Sequence, residues 1–348
     1  MPVAMDLRAP SLSVIIPVCN GEQSIEDCLA SVFASTYRSY EVIVVDDGSS
    51  DRTGEILQRF PALVIRFDRN LGPAAARNAG AAAANAPLLL FLDADIIVPP
   101  SFLGTLVERI GARSELAALF CCYTKETRPE NTCSRFKNLV HHWTHKQALE
   151  EAVTFCGGFG IVRREVFVEL GGFDASCRYL EDIDFGYRMH LAGYRIGVAK
   201  DLQVTHTKHY SLAGLIRSDL FARAVPWTRL MLKYRIFRND LNTRIPNILS
   251  VAVACLLPVS FAAGPTPLMG AALCAILIAL NWRFLRFAAA VHGLAFAVRS
   301  AVLCWLIYLL SAVGVILGLC EWAMERSGLT RRVKDANILI PAGAARKP

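Results

Sequence analysis

From residue 12 to residue 100 the chain alternates unbroken apolar runs with stretches of helical period. LSVIIPV reads as a buried strand, a turn follows at Asn20-Gly21, and Ile25, Leu29, Val32 and Phe33 recur at the spacing of one helix face. EVIVVDD predicts a second strand, after which Ser50 or Asp51 can cap a helix carrying Ile56 and Leu57. LVIRFD, PAAARNAGAAAAN and PLLLFLDAD continue the alternation as strand, small-residue helix and strand. Runs of Val, Ile and Leu without polar alternation belong to parallel strands covered on both faces, so the pattern predicts an α/β open sheet. Such sheets bind ligands beyond the carboxyl ends of their strands, which directs attention to the polar residues just after each strand.

Further along, the pattern changes. Residues 121–150 lose periodicity and gather His141, His142 and His145, predicting a long loop with a short helix. An aromatic and glycine-rich segment, FCGGFGIVRREVFVELGGFD, leads into YLEDIDFGYRMHLAGYRI. Beyond it, Leu212, Leu215, Ile216, Leu220, Ala224 and Trp227 share one side of a helical stretch with arginines interleaved. This predicts a helix on a membrane surface whose arginines snorkel, with a buried core helix as the alternative. No Asp, Glu, Lys or Arg occurs from Ile245 through Trp282 or from Ser300 through Cys320. Divided at Gly264-Pro265, the apolar tail predicts spans near 247–264, 267–282 and 300–320. Phe287–Val298 would rise only about 18 Å as a helix, short of the roughly 30 Å bilayer core, and reads as an interfacial or re-entrant piece. Three spans would leave the basic C-terminal tail outside, against the positive-inside tendency, so four tilted spans are the alternative.

Composition locates the same division. The 348 residues are 54% hydrophobic and 19% charged, against about 45–50% and about 25% in soluble domains. That excludes a disordered chain, and a mean hydropathy of +0.37 argues against a wholly soluble globule. The net charge of +7 is concentrated between Lys208 and Arg244, where Arg217, Arg223, Arg229, Lys233, Arg235 and Arg238 face only Asp219 and Asp240. A basic stretch directly before an apolar run fits an anionic cytoplasmic lipid surface, and no nucleic-acid partner is expected. The eleven cysteines are scattered without a C-x-x-C pair, suiting neither a zinc site nor a disulfide framework. The N-terminus lacks the long apolar stretch of a secretory signal, so the expected setting is a multi-pass membrane protein with its soluble part in the cytoplasm.

The candidate chemistry lies at the strand ends. Asp46 and Asp47 close the second strand and can accept hydrogen bonds from a base or ribose, or serve a turn and helix cap. Asp93-Ala94-Asp95 ends PLLLFLDAD; carboxylates on the rim of an apolar strand are costly unless solvated or ligating a cation, and a hard divalent ion with phosphate oxygens fits them. Arg77, in GPAAARNAG, can contact a nucleotide or form a surface salt bridge. Glu181, Asp182 and Asp184 crowd together, which pushes at least one carboxyl towards the range of a general base; a helix N-terminus would also favour them. His206 and His209 can offer nitrogen to a metal or touch a phosphate.

Together these segments resemble the family 2 glycosyltransferases, whose catalytic domain has the GT-A nucleotide-sugar-binding fold. SVIIPVCN, VVDDGSSDRT, LGPAAARNAG, FLDADI, GGFD and LEDIDFGYRMHLAGYRI follow the family order over residues 11–235. The resemblance implies that Pro17, Asn20, Asp46, Asp47, Arg77 and Asp93 bind the nucleotide. It implies that Asp95 and Asp93, with His206 nearby, hold Mg²⁺ or Mn²⁺, and that Asp182 is the catalytic base beside Glu181. The family's processive members carry Gln-x-x-Arg-Trp after the base; ARAVPWTRL stands in that region here. The expected organisation is a flexible segment 1–10, a GT-A domain 11–210, a basic amphipathic helix or linker 211–244, a transmembrane region 245–322 and a basic tail 323–348. The expected activity is inverting, metal-dependent sugar transfer from a UDP- or GDP-linked donor to a lipid or lipid-linked acceptor at the membrane. A sugar nucleotidyltransferase and a non-catalytic membrane subunit are the alternatives.

Overall fold

The computed structural model describes residues 9–237, 243–262 and 267–327. Most of the expected N-terminal segment and basic tail lies outside the described residues, as do Arg238, Asp240 and Gly264-Pro265. The chain runs β1 (Leu12–Val18), α1 (Ile25–Phe33), β2 (Tyr40–Asp46), α2 (Thr53–Leu57), β3 (Leu63–Arg66), α3 (Pro73–Ala83), β4 (Leu88–Leu92) and β5 (Ile96–Ile97). It continues through α4 (Phe102–Ala112), β6 (Leu116–Tyr123), α5 (Thr132–Lys146), β7 (Glu151–Ala152), β8 (Phe159–Arg163), α6 (Arg164–Glu169), α7 (Glu181–Leu191) and β9 (Arg195–His206). Next come α8 (Leu212–Arg217), a π-helical segment Ser218–Ala224 and α9 (Val225–Tyr234), then α10 (Ile245–Ala262), α11 (Pro267–His292) and α12 (Leu294–Arg326).

The sheet order is β3-β2-β1-β4-β8-β6-β9-β5, with β7 paired to β9. Strands β3, β2, β1 and β4 are parallel, as their apolar runs predict, while β8 inserts antiparallel between β4 and β6. The sheet is therefore mixed and mostly parallel. At its edge Leu63 and Val64 of β3 are exposed, so burial on both faces holds for the central strands and not for this one. Register brings the functional ends together. Pro17 lies opposite Val45 and Val18 opposite Asp46, while Leu12–Ile15 align with Leu88–Phe91, so the residues following β1, β2 and β4 emerge at one edge. Behind that edge Phe91, Phe167, Phe173 and Phe185 interlock with ring centroids 4.9–5.3 Å apart. Such a cluster, buried from β4 and α7 at once, fixes the spacing between the two elements.

Three expectations change. Residues 132–146 form a full helix, α5, because Asn131 caps it by accepting the Ser134 N–H at 3.0 Å. Its histidines hid a two-faced pattern, in which Phe136, Leu139 and Trp143 meet Phe284 and Phe287 of α11 while Lys137, His141 and His145 face the other way. The stretch 211–234 is not a free surface helix either. Leu215 is buried with Phe136, and the π-helical segment turns Asp219 inward, where Lys137 reaches both carboxylate oxygens at 2.8 and 2.9 Å and Arg223 donates at 2.6 Å. Finally, no separate interfacial piece exists at 287–298. α11 continues past Arg283 and Arg286, both good helix formers held on its exposed side, and the break falls at Gly293, whose φ of 86° ends one helix before α12 begins. α12 crosses the π-helical segment and α9 through small contacts, Gly314 on Ala224 and Gly318 on Thr228.

Candidate active site

A cleft of about 730 Å³ opens at the carboxyl edge of β1, β2 and β4, roofed by the N-terminus of α7 and closed on the far side by α5 and the π-helical segment. Its wall includes Pro17, Asn20, Asp47, Arg77, Asp93, Asp95, Glu181 and Asp182. Asp46 and His206 stand behind the wall.

The loops after β1 and β2 are laced together. Asn20, at φ 52°, donates its backbone N–H to Ser49 Oγ at 2.9 Å, and its Oδ1 accepts the Ser50 N–H at 2.9 Å. Buried Asp46 accepts the Ser49 N–H at 2.9 Å and lies 3.6 Å from Arg66. Asp47 accepts the N–H groups of Leu71 and Gly72 at 2.6 and 2.9 Å. It thereby anchors the start of α3, where Pro73 occupies the first turn with its missing N–H at no cost.

One turn further along α3, Arg77 enters the site. Its guanidinium is buried, donates to Asp93 Oδ1 at 2.6 Å and to Glu181, and leaves Nε without a hydrogen-bond partner among the described residues. Glu181, itself buried, is thus committed to Arg77.

Asp95 sits in the turn between β4 and β5, and pairing of Ile96 with His206 sets it beside that imidazole. His206 Nε2 is 3.6 Å from Asp95 Oδ2, while Asp95 Oδ1 is buried without a hydrogen-bond partner among the described residues. Burial opposes ionisation of Asp95, but His206 and then Lys208 outweigh it and hold the carboxyl below its usual range. The orphaned buried oxygen of Asp95 and the partly open carboxylate of Asp93 are oxygen donors of the kind a hard divalent ion such as Mg²⁺ or Mn²⁺ takes.

Asp182 occupies the first turn of α7, two residues after Leu180, which is held at φ 60°. A non-glycine residue in that region stores strain, and here it aims the helix start into the cleft. Asp182 accepts the Gly157 N–H at 3.0 Å and the Ile183 N–H at 2.8 Å. The neighbouring glycines permit this approach: a Cβ on Gly157 would lie 3.0 Å from Asp182 Cβ, and one on Gly158 2.7 Å from Asp93 Oδ2. Burial first and the charge of Glu181 second raise Asp182 to about 7, against the pull of Gly157 and Arg77. A carboxyl so placed can exchange a proton near neutrality. Asp184 does not belong to this group. It points away, fully buried, into Arg188, Lys233 and Tyr234 at 2.6–2.9 Å, so the acidic run divides into one cleft carboxylate, one tethered glutamate and one structural anchor.

The far wall is absent from the expectations drawn from sequence. Lys137, His141, His145, Tyr123, Lys208 and Arg223 all line the cleft. Burial holds His141 well below its usual range and takes His145 to about 4, so both are neutral. The Gly157-Gly158 pair carries a local signal, since adjacent glycines between strands mark close backbone approach. The α5 residues carry none, because which of them face the cleft depends on how their helix packs.

Residues 13–171 match the family model described as Glycosyl transferase family 2. The chain carries a family 2 glycosyltransferase domain. Among curated relatives, the chain is 29% identical over 198 residues to a poly-beta-1,6-N-acetyl-D-glucosamine synthase of Staphylococcus aureus, covering 53% of this chain and 47% of that one. It is 28% identical over 263 residues to a validoxylamine A glucosyltransferase of Streptomyces hygroscopicus subsp. limoneus, covering 63% and 58%. The chain thus spans about half the length of the curated relatives it matches. In fold, the glycosyltransferase domain and the helices after it resemble the mannosyltransferase PcManGT from Pyrobaculum calidifontis in complex with GDP-Man and Mn²⁺, with a TM-score of 0.59 and 23% identity over 86% of this chain and 89% of that one. S. aureus TarS 1-349 in complex with UDP-GlcNAc gives 0.51 and 18% over 91% and 92%. The fold is GT-A, followed by long apolar helices.

Proposed function

We propose that this chain is a membrane-associated, inverting glycosyltransferase that moves a sugar from a UDP- or GDP-linked donor to a lipid or lipid-linked acceptor. The observation that carries this reading is the convergence of Asp93, Asp95, Arg77 and Asp182 on one cleft of a family 2 domain. Relatives in fold bound to GDP-Man with Mn²⁺ and to UDP-GlcNAc support the donor class.

Pro17, Asn20 and Asp47 border the nucleotide end of the cleft, where the fixed loops after β1 and β2 give base and ribose a rigid seat. Arg77 holds Asp93 and Glu181 in place. Asp95 and Asp93, with His206 behind them, would hold Mg²⁺ or Mn²⁺, which supplies charge neutralisation for the departing diphosphate. Asp182 removes the proton from an acceptor hydroxyl as that oxygen attacks the anomeric carbon opposite the departing nucleoside diphosphate. The carbon–oxygen bond to the acceptor forms as the bond to the diphosphate breaks, so configuration inverts and no covalent enzyme intermediate is needed. ARAVPWTRL in place of the processive signature supports transfer of single sugars.

Membrane association rests on Leu268–His292 and Leu294–Arg326, long and apolar enough to cross a bilayer, and on their outward residues Leu268, Leu294, Val302 and Ile316, each more than half exposed. The test is transfer of radiolabelled sugar into a membrane extract with and without chelator, comparing the native chain with Asp182→Asn. Chelator-sensitive transfer with release of nucleoside diphosphate supports the reading. Release of pyrophosphate would assign a nucleotidyltransferase instead, and transfer undiminished by Asp182→Asn would remove the proposed base.

A further inference from the structure

Beside the catalytic cleft lies a second cavity of about 670 Å³, walled by Arg178, Tyr179, Ala213, Ile216, Arg217 and Phe221. Arg178 and Tyr179 line both spaces, so the two adjoin at the loop that precedes Asp182. The second cavity has a consistent chemistry. Ala213, Ile216 and Phe221 give it an apolar floor, with Phe221 54% exposed, and Leu212 on the same helix as Ala213 is 50% exposed. Its two charged residues are both arginines, and neither has a carboxylate within ion-pair distance among the described residues. Arg178 lies against the ring of Tyr179, 5.7 Å from its centroid, which keeps the guanidinium at the junction of the two spaces.

An apolar floor with unpaired guanidinium groups at its rim matches an amphiphile bearing a phosphate, because guanidinium presents a planar fork to phosphate oxygens while exposed Phe and Ile side chains gain by covering hydrocarbon. Position selects the occupant further. The cavity is bounded by α8 and the π-helical segment; the latter packs on α12, the helix proposed to span the membrane. The π-helical segment thus lines both the cleft and the second cavity while packing on α12.

Building on the proposed glycosyltransferase activity, we infer that this second cavity is the anchor site for a lipid-linked acceptor: its phosphate rests between Arg178 and Arg217, its single hydrocarbon chain lies over Ile216 and Phe221, and its reacting hydroxyl passes Tyr179 into the cleft. The segment formed by α8 and the π-helical stretch thus reads as a substrate guide, its exposed apolar residues serving the acceptor.

The experiment uses the full chain in phosphatidylcholine nanodiscs, with binding of farnesyl phosphate, farnesol and inorganic phosphate measured against protein-free discs. Nucleotide-sugar binding with Mn²⁺ is measured in parallel. Farnesyl phosphate should bind more tightly than either comparison ligand. Arg217→Ala and Phe221→Ser, both at exposed positions confined to the second cavity, should each weaken it about tenfold while leaving nucleotide-sugar binding unchanged. Farnesol or inorganic phosphate binding as tightly as farnesyl phosphate, or variants that bind it normally, would overturn the anchor site. Failure of every nucleotide sugar to bind with Mn²⁺ would instead overturn the glycosyltransferase reading on which it rests.

Discussion

The two walls of the cleft carry buried ion networks of opposite sense. On the sheet side, Asp93, Glu181 and Asp182 surround the buried guanidinium of Arg77, and Asp95 and Asp47 line the same wall. On the helical side, two cations, Lys137 and Arg223, share the single carboxylate of Asp219, with Lys208 nearby. The excess of negative charge on one wall favours a cation and the excess of positive charge on the other an anion; the diphosphate of the proposed donor with its metal would satisfy both. The networks also differ in what they hold. Arg77 ties together residues proposed to do chemistry, whereas Asp219 ties α5 of the catalytic domain to the segment packed on α12. One wall should therefore fail in turnover and the other in folding.

The largest contrast is expected from Asp182→Asn, which should lower transfer by about 100- to 10,000-fold while nucleotide binding by calorimetry and the melting temperature stay near native. A fall in stability of similar weight would show that Asp182 is structural and erase the contrast. Asp219→Ala should do the opposite. It leaves Lys137 and Arg223 without their counter-charge, a loss of about 3–5 kcal/mol that denaturant unfolding of the full chain would register. An unchanged unfolding midpoint would show that the helical wall is held by packing alone.

Next in size, Asp95→Ala should weaken Mn²⁺-dependent donor binding by more than the about 10- to 100-fold typical of losing a residue that only orients a metal ligand. Chelator should weaken binding by the native chain and barely affect the variant's. The pH profile gives a smaller, graded effect. With Asp182 raised to about 7, turnover should fall roughly tenfold per unit as pH drops below that value. The folded chain keeps this proton between pH about 4 and about 7 where the unfolded chain has lost it, so Asp182's contribution to stability falls as pH rises through that window. Smallest is Gly157→Ala. The added methyl would press on Asp182 Cβ at 3.0 Å and shift the base by a few tenths of an ångström, costing less than the about 100-fold of a full ångström's misplacement.

The sheet-side wall is largely legible in the chain because its residues are fixed by local rules. A parallel strand buried on both faces must shed its polar residues at its end, and this alone groups Asp47, Asp93 and Asp95 at one edge of the sheet. Roles within the wall are less legible. Nothing in LEDID distinguishes Asp182 from Asp184, yet two positions along one helix turn separate a cleft carboxylate from one buried under Lys233 and Tyr234. The helical wall is not legible at all. Lys137 and Asp219 are far apart in sequence, and each alone looks like an ordinary surface charge until packing buries both.

By itself, then, the sequence determined the α/β alternation, the order of the motifs, the acidic strand ends and the displacement of apolar residues to the tail, since these follow from periodicity and from the cost of burying charge. Only the tertiary structure decided that Arg77 binds Glu181 and that a second, basic-rimmed cavity adjoins the cleft at the loop before Asp182. Each of these depends on side chains remote in sequence meeting in space, and the free energy of such a meeting is written in no local pattern.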